Sequence, residues 1–287
     1  MNTPKGISVT FSTLAVGLMT ALILFPPLGT MDAFAAASGK AVVLLQHPVK
    51  VTVAPGESEW PDLHRLEISV VGGGKRFRFT TSQCAKSLDD ALAFQREETR
   101  WRGPYLLIRY DRGGGNATRD YLDVVFTLRK GRLLYLGEVE ADSYKGGTFR
   151  DTYNKFELNG LTSHAGAPMF PLVVEEKGGR LRVNIEKTWQ ENRGTYRENA
   201  AWVPGVLGKR VPLSGPDLID LTDSLLFNAV LAKYCQRPRE LEQALEAAAI
   251  GLKREDPKLF DQFKEIVSQV IPGELPERAV KVVAERM

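Results

Sequence analysis

The chain has 287 residues, of which 43% are hydrophobic and 25% are charged, and this globular composition excludes a wholly disordered protein. Its 38 basic and 35 acidic residues leave a net charge of +3, which argues against nucleic acid as a partner. The most basic stretch, Lys75-Arg76-Phe77-Arg78, alternates as a half-buried strand does. We therefore predict that Arg76 and Arg78 lie on the exposed face of a strand.

Residues 1–35 are predicted to be a secretory signal peptide. Lys5 precedes an uncharged apolar run, Leu14–Phe25, that is shorter than the ~20 residues of a membrane-spanning helix. The small residues Ala33 and Ala35 indicate cleavage before Ala36. We expect an exported protein, periplasmic or extracellular, with no membrane span after cleavage. The alternative is a protein anchored by its uncleaved N-terminal segment.

Residues 36–188 are predicted to form a β-rich domain, because short apolar runs alternate with glycine and proline. The clearest block is 104–140, a β-meander with strands at Tyr105–Tyr110, Tyr121–Leu128 and Leu133–Val139. The other strands are expected at 41–45, 49–53, 66–71, 76–80, 170–175 and 180–185. Residues 86–100 have a weak helical spacing, which fits a short helix or an irregular link.

The C-terminal part is predicted to be helical. Residues 189–213, rich in polar residues, glycine and proline, are interpreted as a linker, and 214–287 as a helical module. Helices are expected at 217–236, 238–252, 257–270 and 279–285, since apolar residues recur at helical spacing after capping residues or prolines. The fold class is therefore α+β: an antiparallel β-meander, sandwich-like or partial-propeller domain, followed by a C-terminal helical module.

Two cysteines are present, Cys84 and Cys235, and in an oxidising compartment they can pair. Such a disulfide would join the β-rich domain to the helical module. The alternative is two separate thiols.

No residue pattern predicts a catalytic residue, a metal site or a cofactor. The three histidines, His47, His64 and His164, are scattered. The glycine-rich segment 111–116 lacks the ending of a phosphate-binding loop, and a strand rather than a helix is predicted after it.

Aromatic residues are concentrated in and after the meander, where exposed rings would bind sugars or peptides. Trp101, Tyr110, Tyr121 and Trp189 are therefore candidate binding residues. The alternative for each of them is packing in the core.

The segments 103–115, 121–137 and 149–151 together resemble exported bacterial proteins of unknown function whose strand pairs are similar to the blades of integrin-type (FG-GAP/VCBS-like) propellers. This resemblance covers about residues 103–187 and implies an exported β domain without implying an activity. The aspartate-rich calcium loop of such blades is absent between Asp151 and Gly160.

Two functional hypotheses follow from these observations. The first is a non-enzymatic cell-envelope protein that binds an envelope protein or a cell-wall component. The second is a hydrolase of envelope glycans that uses carboxylates such as Glu138 or Asp151. A cleft with two carboxylates of perturbed pKa would favour the hydrolase, and an apolar or aromatic patch without one would favour binding.

Overall fold

The computed structural model describes residues 41–57, 64–83, 87–111, 121–153, 169–208, 213, 215–276 and 280–287. These residues form three antiparallel sheets and five helices, which confirms the α+β class with helices towards the C-terminus. The predicted signal peptide and Cys84 lie outside the described residues. None of the described helices is long and apolar enough to cross a membrane.

The first sheet has the strand order β1-β2-β3-β4-β12. Its strands are β1 (Val42–Leu45), β2 (Lys50–Pro55), β3 (His64–Gly72), β4 (Lys75–Gln83) and β12 (Val283–Arg286). One face is buried, because alternate residues such as Val51, Val53, Ile68 and Val70 are apolar and fully shielded from solvent. This face forms the first core together with α1 (Leu88–Glu97).

The second sheet is the predicted meander with one strand added at its edge. It runs in the order β5 (Thr99–Arg102), β6 (Tyr105–Asp111), β7 (Tyr121–Arg129) and β8 (Arg132–Glu140). The strands are nearly continuously apolar because both faces are buried. Leu106 and Ile108 point into the first core, whereas Leu107 and Val125 point into a second core.

The second core lies between this central sheet, a third sheet and the helices. The third sheet has the order β11-β10-β9, with β9 (Phe149–Tyr153), β10 (Phe170–Lys177) and β11 (Arg180–Val183). The helices are α2 (Ile185–Leu207), α3 (Gly215–Tyr234), α4 (Pro238–Glu255) and α5 (Pro257–Gln269).

The linker predicted at 189–213 is wrong, because α2 occupies most of it. The Asn184 side chain caps the helix by accepting a hydrogen bond from the Lys187 N–H at 3.0 Å. The helix buries Trp189, Tyr196 and Val203, which are spaced seven residues apart and so share one face. Glycine and proline obscured this period, although Pro204 is tolerated near the end of the helix.

The last predicted helix, 279–285, is also wrong. The chain leaves the helices and returns to the first sheet, where β12 pairs antiparallel with β4 from Val283 opposite Arg78 to Arg286 opposite Lys75. The open edge of β4 supplies backbone hydrogen-bond partners for a segment too short to be a stable helix by itself. The predicted helical module of 214–287 therefore ends in a strand of the first sheet.

The β3–β4 turn touches the β7–β8 turn. Gly73 and Gly74 both have positive φ, at 55° and 73°, as a two-residue hairpin turn requires. A Cβ atom on Gly73 would lie 2.0 Å from the Gly131 carbonyl oxygen, whereas a Cβ on Gly74 would meet nothing within 4 Å. The two turns therefore pack backbone against backbone at Gly73.

We predict that Gly73→Ala destabilises the protein more than Gly74→Ala does. Both substitutions place alanine in the left-handed region, which costs about 1–2 kcal/mol. Only Gly73→Ala also forces two backbones apart, which adds about 1–3 kcal/mol. Urea unfolding of the two variants measures the difference. Equal free energies of unfolding would contradict the packing of the two turns.

Candidate functional site

The four candidate aromatic residues do not come together. Trp101 and Tyr110 are half-buried against the first core. Tyr121 lies opposite Asp111 in the β6–β7 pair, so its side chain leaves the sheet on the face opposite to that of Tyr110. Trp189 is only 9% exposed in the second core, with its ring 5.2 Å from that of Tyr196. No shared aromatic binding face results from these four residues.

Tyr121 and Trp189 nevertheless contact arginines. The Tyr121 ring stacks on Phe94 at 5.4 Å, and the Arg109 guanidinium carbon lies 5.9 Å from its centroid. The Arg237 guanidinium carbon lies 5.4 Å from the Trp189 centroid. Their surroundings are therefore intramolecular stacking and cation–π contacts.

Cys235 is a buried free thiol in the second core, 1% exposed. Burial raises the pKa of this thiol to about 12, which keeps it protonated and unreactive at neutral pH. The strand preceding Cys84, β4, contributes to the first core, on the other side of the central sheet. The disulfide stays a prediction, because Cys84 lies outside the described residues.

The two carboxylates of the hydrolase hypothesis differ in accessibility. Asp151 is 1% exposed, and its Oδ1 accepts a hydrogen bond from the Thr152 N–H at 2.8 Å. Glu138 is half-buried on β8, opposite Val124. A glycosidase carboxylate must flank the cleaved bond. Because Asp151 is buried, a glycan at the surface could not reach it.

A network of charges with a buried centre lies at one end of the central sheet, on the face that also lines the second core. We call it the arginine network; its members are Glu98, Arg100, Arg109, Asp123 and Asp142. Arg109 and Asp123 stand directly opposite each other on β6 and β7. Their side chains are 7% and 3% exposed, and the Arg109 Nε–H donates to Asp123 Oδ1 at 3.0 Å.

The remaining contacts of the network surround this pair. The Arg109 Nη1 and Nη2 atoms lie 3.0 Å from Glu98 Oε2 and 2.8 Å from Asp142 Oδ1. Arg100 contacts the same two oxygens, at 3.0 and 2.5 Å. The Asp142 backbone N–H donates to Asp123 Oδ2 at 3.0 Å. Each charged group of the network therefore has at least one oppositely charged or hydrogen-bonding partner. The buried pair Arg109 and Asp123 requires such partners.

Electrostatics favours the charged forms of Arg109 and Asp142. Burial opposes the Arg109 charge, but hydrogen bonds to Asp142 and Asp123 outweigh it and raise the pKa of Arg109 above its ordinary value. The hydrogen bond from Arg109 lowers the pKa of Asp142. The geometry of the network is that of a structural ion-pair cluster.

Asp223, on α3, is a second carboxyl group of interest. Burial, with a smaller effect from the Asp220 carboxylate, raises the pKa of Asp223 to about 6. Its Oδ1 atom is buried and accepts no hydrogen bond from a described residue. Asp220 is one turn away on the same helix, so the two carboxylates do not face each other across a cleft.

An apolar groove of about 600 Å³ is bounded by α2, α3 and α4. We call it the helical groove. Its apolar lining comes from all three helices: Ala200, Val203, Pro204 and Leu207 of α2, Leu225 of α3, and Ala244, Ala247 and Ile250 of α4. Ile250 is 61% exposed, although it is a large apolar residue. This volume lies within the range of small-molecule sites.

Few polar groups line the helical groove. Asn228 is already engaged, since its Nδ2 donates to the Tyr196 carbonyl oxygen at 3.1 Å. The Tyr196 hydroxyl donates to the Glu240 carbonyl oxygen at 3.0 Å. The side chain of Gln243 makes no hydrogen bond to a described residue, and Glu246 is the one charged residue in the lining.

Gly251 holds the helices close together beneath this groove. A Cβ atom there would lie 2.8 Å from Leu207 Cδ2 and 3.3 Å from Leu221 Cδ2. Glycine thus permits α4 to approach α2 and α3 closely at one end, beside the groove-lining Leu207 and Ile250.

Among the described residues, no group of three or more His, Cys, Asp or Glu side chains is arranged to hold a metal ion. No family model matches the chain, and neither a curated protein nor a solved structure matches it. The proposals below therefore depend on the geometry and chemistry of the chain itself.

We predict that Arg109→Met lowers the free energy of unfolding by about 3–5 kcal/mol, because it leaves Asp123 buried without its cation. The double variant Arg109→Met/Asp123→Leu should recover most of this loss, since neither charge then remains at the cross-strand position. The control is Lys264→Met, whose partner Asp261 is 72% exposed; it should cost less than about 1 kcal/mol. A small loss in Arg109→Met, comparable to the control, would contradict the network.

We predict that Asp223→Asn stabilises the protein at neutral pH and not at acidic pH. The folded-state pKa lies above the unfolded value of 3.8, so the folded protein binds the extra proton and loses stability as the pH rises from about 4 to 6. The asparagine variant should gain about 1–2 kcal/mol above pH 6, after allowance for screening. Denaturant unfolding at both pH values measures this, with the exposed Glu242→Gln as control. A gain that is equal at both pH values would point to packing instead of charge.

Proposed function

We propose that this is an exported, non-enzymatic cell-envelope protein that binds an uncharged acyl chain, carried by a lipid or a lipid-modified envelope component, in the helical groove. The observation that carries the proposal is the groove itself: about 600 Å³, lined by apolar residues from three helices. Burying an acyl chain removes apolar surface of both the ligand and the groove from water. This stabilises the complex by roughly 25 cal/mol per Å² of buried apolar surface. Export is inferred from the sequence of residues 1–35.

The shape of the lining favours a chain over a compact ring system. Three alanines and a proline of α2 and α4 line the groove. An aliphatic chain can therefore lie against small side chains between the helices. Val203 and Leu225 belong to the second core and form the floor of the helical groove. Ile250, exposed at the edge, would lose water contact on binding.

The polar residues that line the groove indicate which end group the bound acyl chain carries. Glu246 would repel the carboxylate of a free fatty acid. The amide of Gln243 has donors available, because it bonds to no described residue, and an ester or amide carbonyl can accept from it. The ligand class is therefore an acyl ester or amide.

The glycan-hydrolase hypothesis has less support. Asp151 is buried, and Asp220 and Asp223 lie on one helix instead of across a cleft. Retaining and inverting glycosidases both need two carboxyl groups on opposite sides of the scissile bond.

The test is calorimetric titration of the protein with monopalmitoylglycerol, an uncharged acyl ester, and with palmitate at neutral pH. We expect 1:1 binding of the ester and weaker binding of the free acid. Ala200→Trp fills the groove from its exposed edge and should weaken ester binding at least tenfold, about 1.4 kcal/mol. Ala201→Trp, on the same helix but outside the groove lining, is the matched control and should bind within twofold of wild type.

Absence of ester binding would overturn the proposal. So would equal weakening by Ala200→Trp and Ala201→Trp, because the effect would then come from disturbance of α2 and not from occupation of the groove. Tighter binding of palmitate than of the ester would contradict the role given to Glu246.

A further inference from the structure

Three hairpin turns, one from each sheet, lie close together at one end of the sheets, and each contains or adjoins basic residues. The β3–β4 turn is followed by Lys75, the β7–β8 turn is Lys130-Gly131, and the β10–β11 turn is Gly178-Gly179. The first two touch, since a Cβ on Gly73 would lie 2.0 Å from the Gly131 carbonyl oxygen. The third lies beside them, since a Cβ on Gly179 would lie 4.0 Å from Leu134 Cδ1 on β8.

This end carries six exposed cations, which we call the basic end: Lys75, Arg129, Lys130, Arg132, Lys177 and Arg180. Arg129 forms an ion pair with Glu176, whose side chain is only 2% exposed and lies beneath the surface. The other five cations form no ion pair with a described residue. A depression of about 730 Å³ at this end is lined by Arg129, Lys130, Arg132 and Leu134.

Five unpaired cations in one place contrast with the net charge of +3 for the whole chain. The charge is therefore concentrated and not spread evenly. Such a concentration repels itself unless counter-ions or an anionic partner neutralise it. Residues of three separate turns contribute charges of the same sign, which identifies the basic end as an interaction surface.

We propose that the basic end docks the protein on the surface of a membrane rich in anionic phospholipid. The exposed cations of three neighbouring turns can meet the phosphate groups of one membrane surface together. The three-cation depression accommodates one phosphate headgroup. This surface is distinct from the helical groove and does not rest on the proposed function.

The chemistry of the turns disfavours a nucleic acid as the partner. Single-stranded nucleic acids are bound by aromatic rings on which bases stack. The described residues that line the depression at the basic end include no aromatic side chain. Charge instead of base stacking would therefore dominate recognition, which suits lipid headgroups.

The test uses the purified protein in sedimentation with vesicles. One set contains phosphatidylcholine alone, and the other contains phosphatidylcholine and phosphatidylglycerol in equal parts. We expect binding to the anionic vesicles only, and its loss at about 1 M salt, where the Debye length falls to ~3 Å. Equal binding to both sets of vesicles would overturn the proposal, because it would report apolar insertion.

A matched pair of triple variants assigns the surface. Arg132→Gln, Lys177→Gln and Arg180→Gln together should weaken binding about 100-fold, at about fivefold per lost charge. The control removes three exposed cations from α4 and α5, by Arg239→Gln, Lys253→Gln and Lys258→Gln, with the same change in net charge. It should change affinity less than tenfold.

Equal losses in the two triple variants would overturn the proposal, since net charge and not the basic end would then govern binding. So would tighter binding to a DNA or RNA oligonucleotide than to the anionic vesicles. Ala200→Trp should leave vesicle binding unchanged, so failure of the groove proposal and failure of this one are distinguishable.

Discussion

The burial of both faces of the central sheet is the constraint on which the rest of the fold depends. β6 and β7 present Leu106 and Ile108 to the first core and Leu107 and Val125 to the second. Because both faces are apolar, the sheet needs a cover on each side. The first sheet with α1 covers one face, and the third sheet with the helices covers the other.

The arginine network is the exception within this apolar sheet. Removing Arg109 and Asp123 from water is unfavourable, and direct cross-strand pairing offsets that cost only while both charges are present. Glu98 and Arg100, which precede and begin the edge strand β5, and Asp142 after β8 complete the pairing. The network thus fixes the positions of the edge strand and the β8–β9 connection relative to the central strands.

The two proposed interaction surfaces use opposite physical forces at separate places. The helical groove offers apolar area between helices, with Gly251 allowing the close approach of α4 to its neighbours. The basic end offers concentrated positive charge around a depression lined by Arg129, Lys130, Arg132 and Leu134. One surface would recognise a buried hydrocarbon chain and the other an array of anionic groups, so the two can be tested and can fail independently.

The amino-acid sequence by itself determined the local elements whose periods are clear. The β6–β8 meander, the β3–β4 and β10–β11 hairpins and helices α3, α4 and α5 lie close to their predicted positions, because alternation, glycine turns and first-turn prolines act over a few residues. A charged residue inside an apolar strand, such as Arg109 or Asp123, was a signal that a buried pair was present. Its partner could not be assigned, since strand register was unknown.

Tertiary structure decided what local patterns could not encode. α2 became a helix because its buried face packs on the second core, and β12 became a strand because the edge of β4 offered backbone partners. The candidate aromatic residues separated into different cores, while the helical groove and the basic end arose from segments far apart in the chain. Long-range packing determines which side chains meet, and a single sequence carries no direct record of those distances.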